Sequence, residues 1–356
     1  MKNQAILLGI TLLLALGGAV RGADIRVEKV YGKELPGDYK HPACMAELPN
    51  GDLYIAYYGG GGEYELDTAV WGGRLKKGTA LWTRPAVIAD TPFLSDGNPV
   101  VWAAPDGLIW LFWVVRYGDT WSDSRIHARV SRDMAVTWSD PMLLGEERGM
   151  MVRSKPIVLS DGNYLLPIYH ETGRDRELVG ADTTSLFLRC DPKKGLGQWV
   201  ESVRIQARLG CLQPAVVQLD SHYLVAYMRR GGGYEPRRDG FMVRSESRDG
   251  GKTWTPGKDA AFPNPNAAVD FLQLQNRHLL LVYNDSMNER TPLTVAISTD
   301  GDRTYPFKRN IAEGQDDFAY PYAIQTRDGK IHVVFTSQSR TQVNHAVFDE
   351  AAITGR

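Results

Sequence analysis

Six stretches of the chain repeat one pattern of apolar and polar positions. In each, an apolar run is followed by a short polar turn and a second apolar run, and the turns centre near Gly51, Gly107, Gly162, Ser221, Asn276 and Gly329. Most of these turns contain Asn-Gly or Asp-Gly between apolar runs, which favours a tight connection between two antiparallel strands. The pattern therefore predicts six β-hairpins that follow one another at nearly regular intervals.

A second repeated phrase falls between the hairpins. It reads SRDGGKTW at residues 247–254, and related phrases are SRDMAVTW at 131–138 and STDGDRTY at 298–305. An aspartate such as Asp249 can accept hydrogen bonds from amides of its own turn, and Gly250 and Gly251 can adopt positive φ. A large terminal ring such as that of Trp254 is expected to be buried between layers. The phrase predicts a turn between a third and a fourth strand, with weaker copies ending at Trp82 and Trp199.

Six repeats of about four strands each predict an all-β protein, a six-bladed β-propeller with one domain over residues 24–356. Too little chain follows Gln338 for two full strands in the sixth repeat. We therefore expect residues 25–31 to supply its outermost strand and close the ring.

The first 23 residues differ from the rest of the chain. Lys2 precedes an apolar run from Ala5 to Val20, and small residues continue to Ala23. This order of charged, apolar and small residues predicts a secretory signal peptide, and hence an exported protein that is periplasmic or secreted. A membrane anchor is the alternative, although the run is short for a span.

Composition narrows the class of partner. The chain is 43% hydrophobic and 23% charged, with a formal net charge of −1, so nothing favours nucleic acid or an anionic membrane surface. Its three cysteines, Cys44, Cys190 and Cys211, form no CxxC pair, and we expect them to be buried small apolar residues. A Cys190–Cys211 disulfide is the alternative. Metal-ligand spacings are absent from the sequence, so no metal or cofactor is expected.

Propeller geometry predicts where a site would lie. The first strand of each hairpin is nearest the axis, and its start shares one face with the end of the second strand. Polar residues occupy all six first-strand starts: His41, Asn98, Lys155, Gln213, Asp270 and Tyr320. Five of them precede proline, which is expected to give an extended entry to the strand. A ring holding carboxylates and cations suits an anionic sugar and acid–base chemistry; a solvated channel is the alternative.

The repeated phrases are Asp boxes, and the chain resembles the sialidase (neuraminidase) superfamily, in particular its bacterial BNR-repeat sialidase-like branch. Segments such as NPVVW, RSKPIVLSDGNYLLPIYHE, FPNPNAAVDFLQL and YPYAIQTRDGKIHVVFT carry the resemblance over roughly residues 40 to 348. It implies three arginines on a substrate carboxylate, a tyrosine nucleophile assisted by a glutamate, and an aspartate acid/base after the first hairpin. A tyrosine nucleophile is an exception to the usual two-carboxylate scheme of glycosidases.

The resemblance assigns roles to particular residues. It implies that Arg229 and Arg290 are the second and third arginines and that Tyr320 is the nucleophile. Asp67, or else Glu63, is implied as the acid/base on the loop after the first hairpin.

This chain departs from the family pattern at two places. Lys40-His41-Pro42 stands where the family has an arginine, and Gln213 stands where it has the glutamate that assists the tyrosine. Lys155 is a further candidate cation for the carboxylate. His170 and Glu171, which end the third hairpin, are candidates for the missing acid/base function.

The sequence thus predicts an exported, sialidase-like exo-glycosidase that hydrolyses a terminal, acidic, α-linked sugar from glycans. One alternative is a polysaccharide lyase, in which arginine and lysine neutralise a uronate while His41, His170 or Tyr320 removes the α-proton. Another is a glycan-binding propeller without catalysis. All three hypotheses predict that the protein binds a glycan.

Overall fold

Six antiparallel sheets arranged around a central axis make up the structure, a computed structural model that describes residues 24–176 and 178–355. The expected signal peptide, residues 1–23, lies outside the described residues. The all-β, six-bladed propeller predicted from the repeats is confirmed.

The strands of the first three blades follow the order of the chain. The first strand, β1 (Arg26–Tyr31), belongs to the last blade. Blade one contains β2 (Tyr39–Glu47), β3 (Leu53–Gly60), β4 (Ala69–Leu75) and β5 (Ala86–Ala89). Blade two contains β6 (Ser95–Ala103), β7 (Ile109–Arg116), β8 (Ser124–Ser131) and β9 (Met142–Leu143), with a 3-10 turn at Trp121–Asp123. Blade three contains β10 (Met150–Val152), β11 (Ile157–Val158), β12 (Tyr164–His170), β13 (Thr184–Cys190) and β14 (Trp199–Glu201).

The remaining blades complete the circle. Blade four contains β15 (Cys211–Gln218), β16 (Leu224–Arg230), β17 (Phe241–Ser247) and β18 (Lys258–Pro263). Blade five contains β19 (Asp270–Gln273), β20 (Leu279–Asn284), β21 (Leu293–Ser298) and β22 (Phe307–Ala312). Blade six contains β23 (Ala319–Gln325), β24 (Ile331–Ser337), β25 (Gln342–Phe348) and β1, and it is followed by a short helix, α1 (Ala351–Thr354).

The ring is closed by β1, which pairs antiparallel with β25 so that Glu28 lies opposite His345. This confirms that the N-terminal segment supplies the outermost strand of blade six. Central strands such as β7 (IWLFWVVR) are buried along their whole length because neighbouring blades cover both faces. Apolar clusters between adjacent blades therefore form the core.

The Asp-box turns behave as predicted. They connect the third and fourth strands of blades two, four and five, at the ends of strands that lie away from the starts of the central strands. Asp249 accepts hydrogen bonds from the Thr253 amide at 2.9 Å and from the Thr253 hydroxyl at 2.6 Å. These bonds lower the pKa of Asp249 to about 2 even though partial burial acts in the opposite direction. Trp254 is buried and stacks on Phe187 of blade three, with ring centroids 4.3 Å apart.

The expected extended entry before proline is wrong for three blades. Asn98, Gln213 and Tyr320 have φ of 44°, 54° and 54°. They do not begin strands but lie within β6, β15 and β23, where the strand register shifts, as it does between Leu212 and Ala215. Such a bulge inserts an extra residue and re-aims its side chain, which overrides the preference that proline imposes on the preceding residue.

The three cysteines are buried and free, as expected, and the alternative Cys190–Cys211 disulfide is not formed. Within 24–176 and 178–355, no helix has the length and apolar character needed to cross a membrane.

Candidate functional site

A polar cavity lies on the propeller axis at the face where the central strands begin. Its floor is formed by side chains from five blades: Tyr58, Asn98, Tyr169, Gln213 and Tyr320. Loop residues form its walls, among them Glu63, Tyr64, Trp121, Arg176 and Tyr234. The predicted face of the propeller therefore carries the cavity, and the Asp-box turns lie on the opposite face.

Tyr320 is the centre of the hydrogen-bond network in this cavity. Its phenol oxygen accepts a hydrogen bond from Arg229 Nη1 at 2.8 Å and another from Gln213 Nε2 at 3.2 Å. Burial raises the pKa of the phenol, but the guanidiniums of Arg229 and Arg290 outweigh that effect and hold the pKa of Tyr320 below its ordinary value. The surroundings of this oxygen therefore favour the phenolate.

Arg229 is held by partners on every side of its guanidinium. Besides Tyr320, it donates to Asn266 Oδ1 at 2.7 Å, to the Tyr234 hydroxyl at 2.9 Å and to Gln213 Oε1 at 3.3 Å. A buried arginine with this many partners has a fixed orientation. Its position at the end of β16 thus presents a rigid cation to the cavity.

A second arginine, Arg290, lies close to the Tyr320 ring, although it is not among the described residues that line the cavity. Its guanidinium carbon is 5.6 Å from the ring centroid, and Nη2 donates to the Asn266 carbonyl at 3.3 Å. Nη1 is buried and has no hydrogen-bond partner among the described residues. Burial, together with the charges of Arg340 and Arg229, lowers the pKa of Arg290. This crowding of cations would be relieved by an anion in the cavity.

Two carboxylates face the cavity. Glu63 accepts a hydrogen bond from the Tyr39 hydroxyl at 2.7 Å and from Arg340 Nη1 at 2.6 Å. Glu171, at the end of β12, is 8% exposed and lines the opposite wall. Glu63 and Glu171 are thus the acid/base candidates that the structure brings to the cavity.

Asp67 lies elsewhere. It is exposed, and its carboxylate accepts the Gly61 amide at 3.0 and 3.2 Å, an arrangement that orders the loop after β3. Asp67 is not among the described residues that line the cavity.

Asn98 lines the cavity, whereas His41 is not among the described residues that line it but packs against Tyr320. His41 Nδ1 is 2.7 Å from Thr336 Oγ1, and its ring centroid is 4.2 Å from that of Tyr320 in an edge-to-face arrangement. Burial, with the surrounding guanidiniums, lowers the pKa of His41, so its ring is neutral near pH 7. Asn98 Nδ2 donates to the Tyr169 hydroxyl at 3.1 Å.

Lys155, Asp270 and His170 are also not among the described residues that line the cavity. Lys155 lies between β10 and β11, and its ammonium is bound by Asp270 at 2.6 Å and lies over the Tyr322 ring. His170 is at the edge of blade three, where Nε2 is 3.0 Å from the Arg148 carbonyl.

Arg340 is a cavity residue that the sequence reasoning missed. It lies two residues beyond Gln338, where the prediction placed the end of the sixth hairpin. No local pattern of the sequence singles it out, because Arg340 lies in the turn between β24 and β25, past the end of β24 at Ser337. Beside the cavity, a wider groove of about 760 Å³ shares Arg340 and Tyr234 with it.

The described parts of the chain contain no cluster of three histidine, cysteine, aspartate or glutamate side chains able to hold a metal ion. The cavity brings together a phenol of lowered pKa, several guanidiniums and two carboxylates. Six blades around such a cavity, three of them carrying Asp-box turns, define the sialidase-like class of β-propeller.

Comparisons with known proteins agree with this class. The family model of the BNR repeat-like domain matches residues 51–333, and the chain belongs to this family. A search among curated proteins gives no match.

Solved structures share the fold. A Hadza microbial sialidase, Hz136, superposes with a TM-score of 0.76 at 16% identity, covering 92% of this chain and 69% of that one. The NanB sialidase of Streptococcus pneumoniae gives 0.74 at 10% identity, covering 92% and 71%. An α-L-arabinanase of Penicillium chrysogenum gives 0.65 at 16% identity, covering 92% and 98%. At these identities the likeness establishes the fold, and the resemblance to the sialidase superfamily is confirmed at that level.

Proposed function

We propose that this protein is an exported glycoside hydrolase that removes a terminal, α-linked acidic sugar from a glycan. The observation that carries the proposal is the Tyr320 oxygen, held by Arg229 and Gln213 in a cavity that Glu63 also lines, with the Arg290 guanidinium carbon 5.6 Å from the Tyr320 ring centroid. Export rests on the sequence pattern of residues 1–23.

The charge of the cavity suits a carboxylate-bearing sugar. Arg229 offers a fixed guanidinium, and Arg290 has a buried Nη1 without a partner among the described residues. A bound carboxylate would accept hydrogen bonds from these groups, and such charge-assisted bonds are among the strongest in proteins. Aromatic side chains on the walls, such as Trp121 and Tyr234, offer apolar surface to the faces of a sugar ring.

The chemistry follows from the placement of Tyr320 and Glu63. The Tyr320 phenolate attacks the anomeric carbon while Glu63 donates its proton to the leaving oxygen, which breaks the glycosidic bond and forms a glycosyl-tyrosine. Glu63, now ionised, takes a proton from water, and the resulting hydroxide displaces Tyr320 to release the sugar. A phenol suits this role because a carboxylate nucleophile would be repelled by the acid group of the substrate.

Substitution of the nucleophile provides the test. Against fluorogenic 4-methylumbelliferyl α-glycosides of N-acetylneuraminic acid, other ulosonic acids and uronic acids, Tyr320→Phe should lower kcat by at least about 1,000-fold. The melting temperature should stay close to that of the wild type. Tyr322→Phe is the matched control, since it removes a buried hydroxyl two residues along the same strand. Turnover by Tyr320→Phe near the wild-type rate would contradict the proposed mechanism.

A polysaccharide lyase is the second candidate, and the contact between His41 and Tyr320 is the observation that favours it. His41 Nε2 is buried and has no hydrogen-bond partner among the described residues. In a lyase, the Tyr320 phenolate would take the proton next to a uronate carboxyl group. The electron pair left on carbon would form a carbon–carbon double bond and expel the β-linked oxygen, which would take the proton back from the Tyr320 phenol. That reaction yields an unsaturated uronate that absorbs ultraviolet light. Incubation with uronate polysaccharides separates the two candidates, because hydrolysis produces no such absorbance.

A further inference from the structure

Blade one does not bring a cation to the cavity, although the resemblance places an arginine there. Lys40 occupies that position, and its ammonium donates to the carbonyls of Leu35, at 3.1 Å, and Gly37. The side chain is fully buried and is not among the described residues that line the cavity. Its neighbour His41 is neutral, because burial lowers its pKa.

Arg340 reaches the same side of the cavity from blade six. Its backbone carbonyl accepts the Lys40 amide at 2.7 Å, so the two residues are adjacent across the junction of blades six and one. Its Nη1 contacts Glu63 Oε2 at 2.6 Å and the Tyr39 hydroxyl at 3.1 Å. All its side-chain hydrogen bonds to described residues use Nη1, so Nε and Nη2 keep donors for a ligand. Arg340 lines both the cavity and the adjoining groove.

The backbone that presents Arg340 is unusual. Three successive residues, Gln338, Ser339 and Arg340, have φ of 54°, 54° and 63°. Residues with a Cβ visit the left-handed region as single residues and not in runs, because Cβ crowds the following carbonyl. A run of three persists only when surrounding contacts hold it, and strained backbone of this kind clusters at functional sites.

Asp316 supplies such a contact. Its two carboxylate oxygens accept the Gln338 amide at 3.0 and 3.1 Å, and Oδ2 also accepts Gln338 Nε2 at 2.8 Å. Asp316 lies in the connection between blades five and six and lines the groove beside the cavity. The carboxylate therefore fixes the residue at which the left-handed run begins.

We propose that Arg340 supplies the third cation for the acid group of the ligand, in place of the missing cation of blade one, and that Asp316 is its positioning residue. This inference rests on the proposed function in one respect, namely that the cavity takes an acidic sugar. Arg340 completes a set in which Arg229 and Arg290 approach Tyr320 from blades four and five. Asp316 acts through the left-handed run and does not itself touch the ligand.

Binding to free sugars tests the inference separately from turnover. The probes are N-acetylneuraminic acid and D-glucuronic acid, each compared with the neutral sugar in which the carboxyl group is reduced to the alcohol, by titration calorimetry. We expect the wild type to prefer at least one acid over its neutral counterpart. Arg340→Met should weaken binding of that acid by at least about tenfold and leave the neutral sugar unchanged.

Asp316→Asn should weaken binding of the acidic sugar by about three- to tenfold and leave binding of the neutral sugar unchanged. Asp317→Asn is the matched control, since it removes the adjacent carboxylate, which makes no side-chain bond to the left-handed run among the described residues. Adding Ser339→Gly to Asp316→Asn should restore part of the lost affinity, because glycine adopts positive φ without a Cβ penalty. A purely structural role of Asp316 would weaken both sugars equally and show no such rescue.

The outcomes separate this inference from the proposed function. Acid binding that is unchanged in Arg340→Met, or a wild type that does not prefer either acid, overturns the inference even if the enzyme hydrolyses an acidic glycoside. Acid binding that depends on Arg340 and Asp316 without turnover of any glycoside supports the inference and overturns the hydrolase.

Discussion

The exchange of a carboxylate for an amide at Gln213 changes how the Tyr320 phenol is activated. A glutamate would accept the phenol proton, whereas Gln213 Nε2 donates to the phenol oxygen and its Oε1 accepts from Arg229. The oxygen is therefore surrounded by donors. Activation then depends on stabilising the phenolate with positive charge, and Arg229 supplies the closest charge.

Arg229→Met should accordingly raise the pKa of Tyr320, because burial then acts with one less cation to oppose it. The measurement is tyrosinate absorbance against pH, taken as the difference between each protein and the same protein carrying Tyr320→Phe. The midpoint should move to higher pH.

Arg116→Met is the control, because it also removes a buried arginine at the end of the second strand of a blade. Arg116 contacts Tyr64 and not Tyr320, so this variant should leave the midpoint unchanged. An unchanged midpoint in Arg229→Met would contradict the assigned role of this arginine.

At the scale of single elements, the sequence predicted hairpins and turns well because both are encoded locally. The Asp-box phrase contains the hydrogen-bond acceptor and donors of its turn, together with the residues that allow positive φ. Residues 247–254 therefore specify their turn without contacts to distant parts of the chain. The backbone conformations of Asn98, Gln213 and Tyr320 were mispredicted. Proline favours an extended conformation in the residue before it, but this preference is only local. The bulge that overrides it depends on pairing with a neighbouring strand.

Because each Asp-box turn is self-contained, Asp249→Ala should lower the free energy of unfolding by about 1–2 kcal/mol through loss of its hydrogen bonds to Thr253 and Lys252. The kcat of the proposed hydrolysis should not change, since this turn lies on the face opposite the cavity. Urea unfolding and an activity assay check the two statements.

Lys252→Ala is the matched control, because it alters an exposed side chain of the same turn and keeps the amide that Asp249 binds. A loss of activity in Asp249→Ala with unaltered stability would contradict the assignment of the turn to structure alone.

At the scale of the whole molecule, ring closure brings together residues that are far apart in sequence. Arg340 contacts Glu63 across 277 residues, and this contact exists only when blade six meets blade one. No local sequence pattern indicates this contact. The reasoning that identified Arg229 at the end of one hairpin and Tyr320 at the start of another therefore missed Arg340. The Lys155–Asp270 ion pair is a related case. The sequence predicted that both residues lie in the ring around the axis, but only the packed structure shows that the two side chains bind each other.

Ring closure also buries a histidine pair that makes stability depend on pH. His332 Nδ1 and His345 Nε2 are 2.9 Å apart, and His345 faces Glu28 of the closing strand. Burial lowers the pKa of His332 to about 4 and that of His345 to about 3, and the proximity of His332 lowers the latter further. The unfolded chain, with histidine pKa near 6.5, therefore binds these protons at higher pH than the folded chain does.

The stability contributed by the neutral pair is present above about pH 6.5 and is lost as pH falls from there toward 4. For His332 alone this loss is on the order of 3 kcal/mol, because one pKa unit corresponds to about 1.4 kcal/mol. Thermal unfolding between pH 7 and pH 4 checks the slope, which should be smaller in His345→Gln. His222→Gln, at an exposed position, should keep the wild-type slope, and equal slopes in all three proteins would refute the assignment.

The pairing of β1 with β25 also has a consequence for biosynthesis. Strand β1 leaves the ribosome before the other strands of the propeller and its partner Gln342–Phe348 after them, so β1 stays unpaired until the rest of the ring has been made. A chain that stops before blade six is not a smaller propeller but an open arc, with an unpaired strand edge and an apolar face at each end. Such edges template aggregation. Premature termination, even late in the message, should therefore give insoluble product, whereas a cut in a surface loop of the finished ring leaves both partner strands in place.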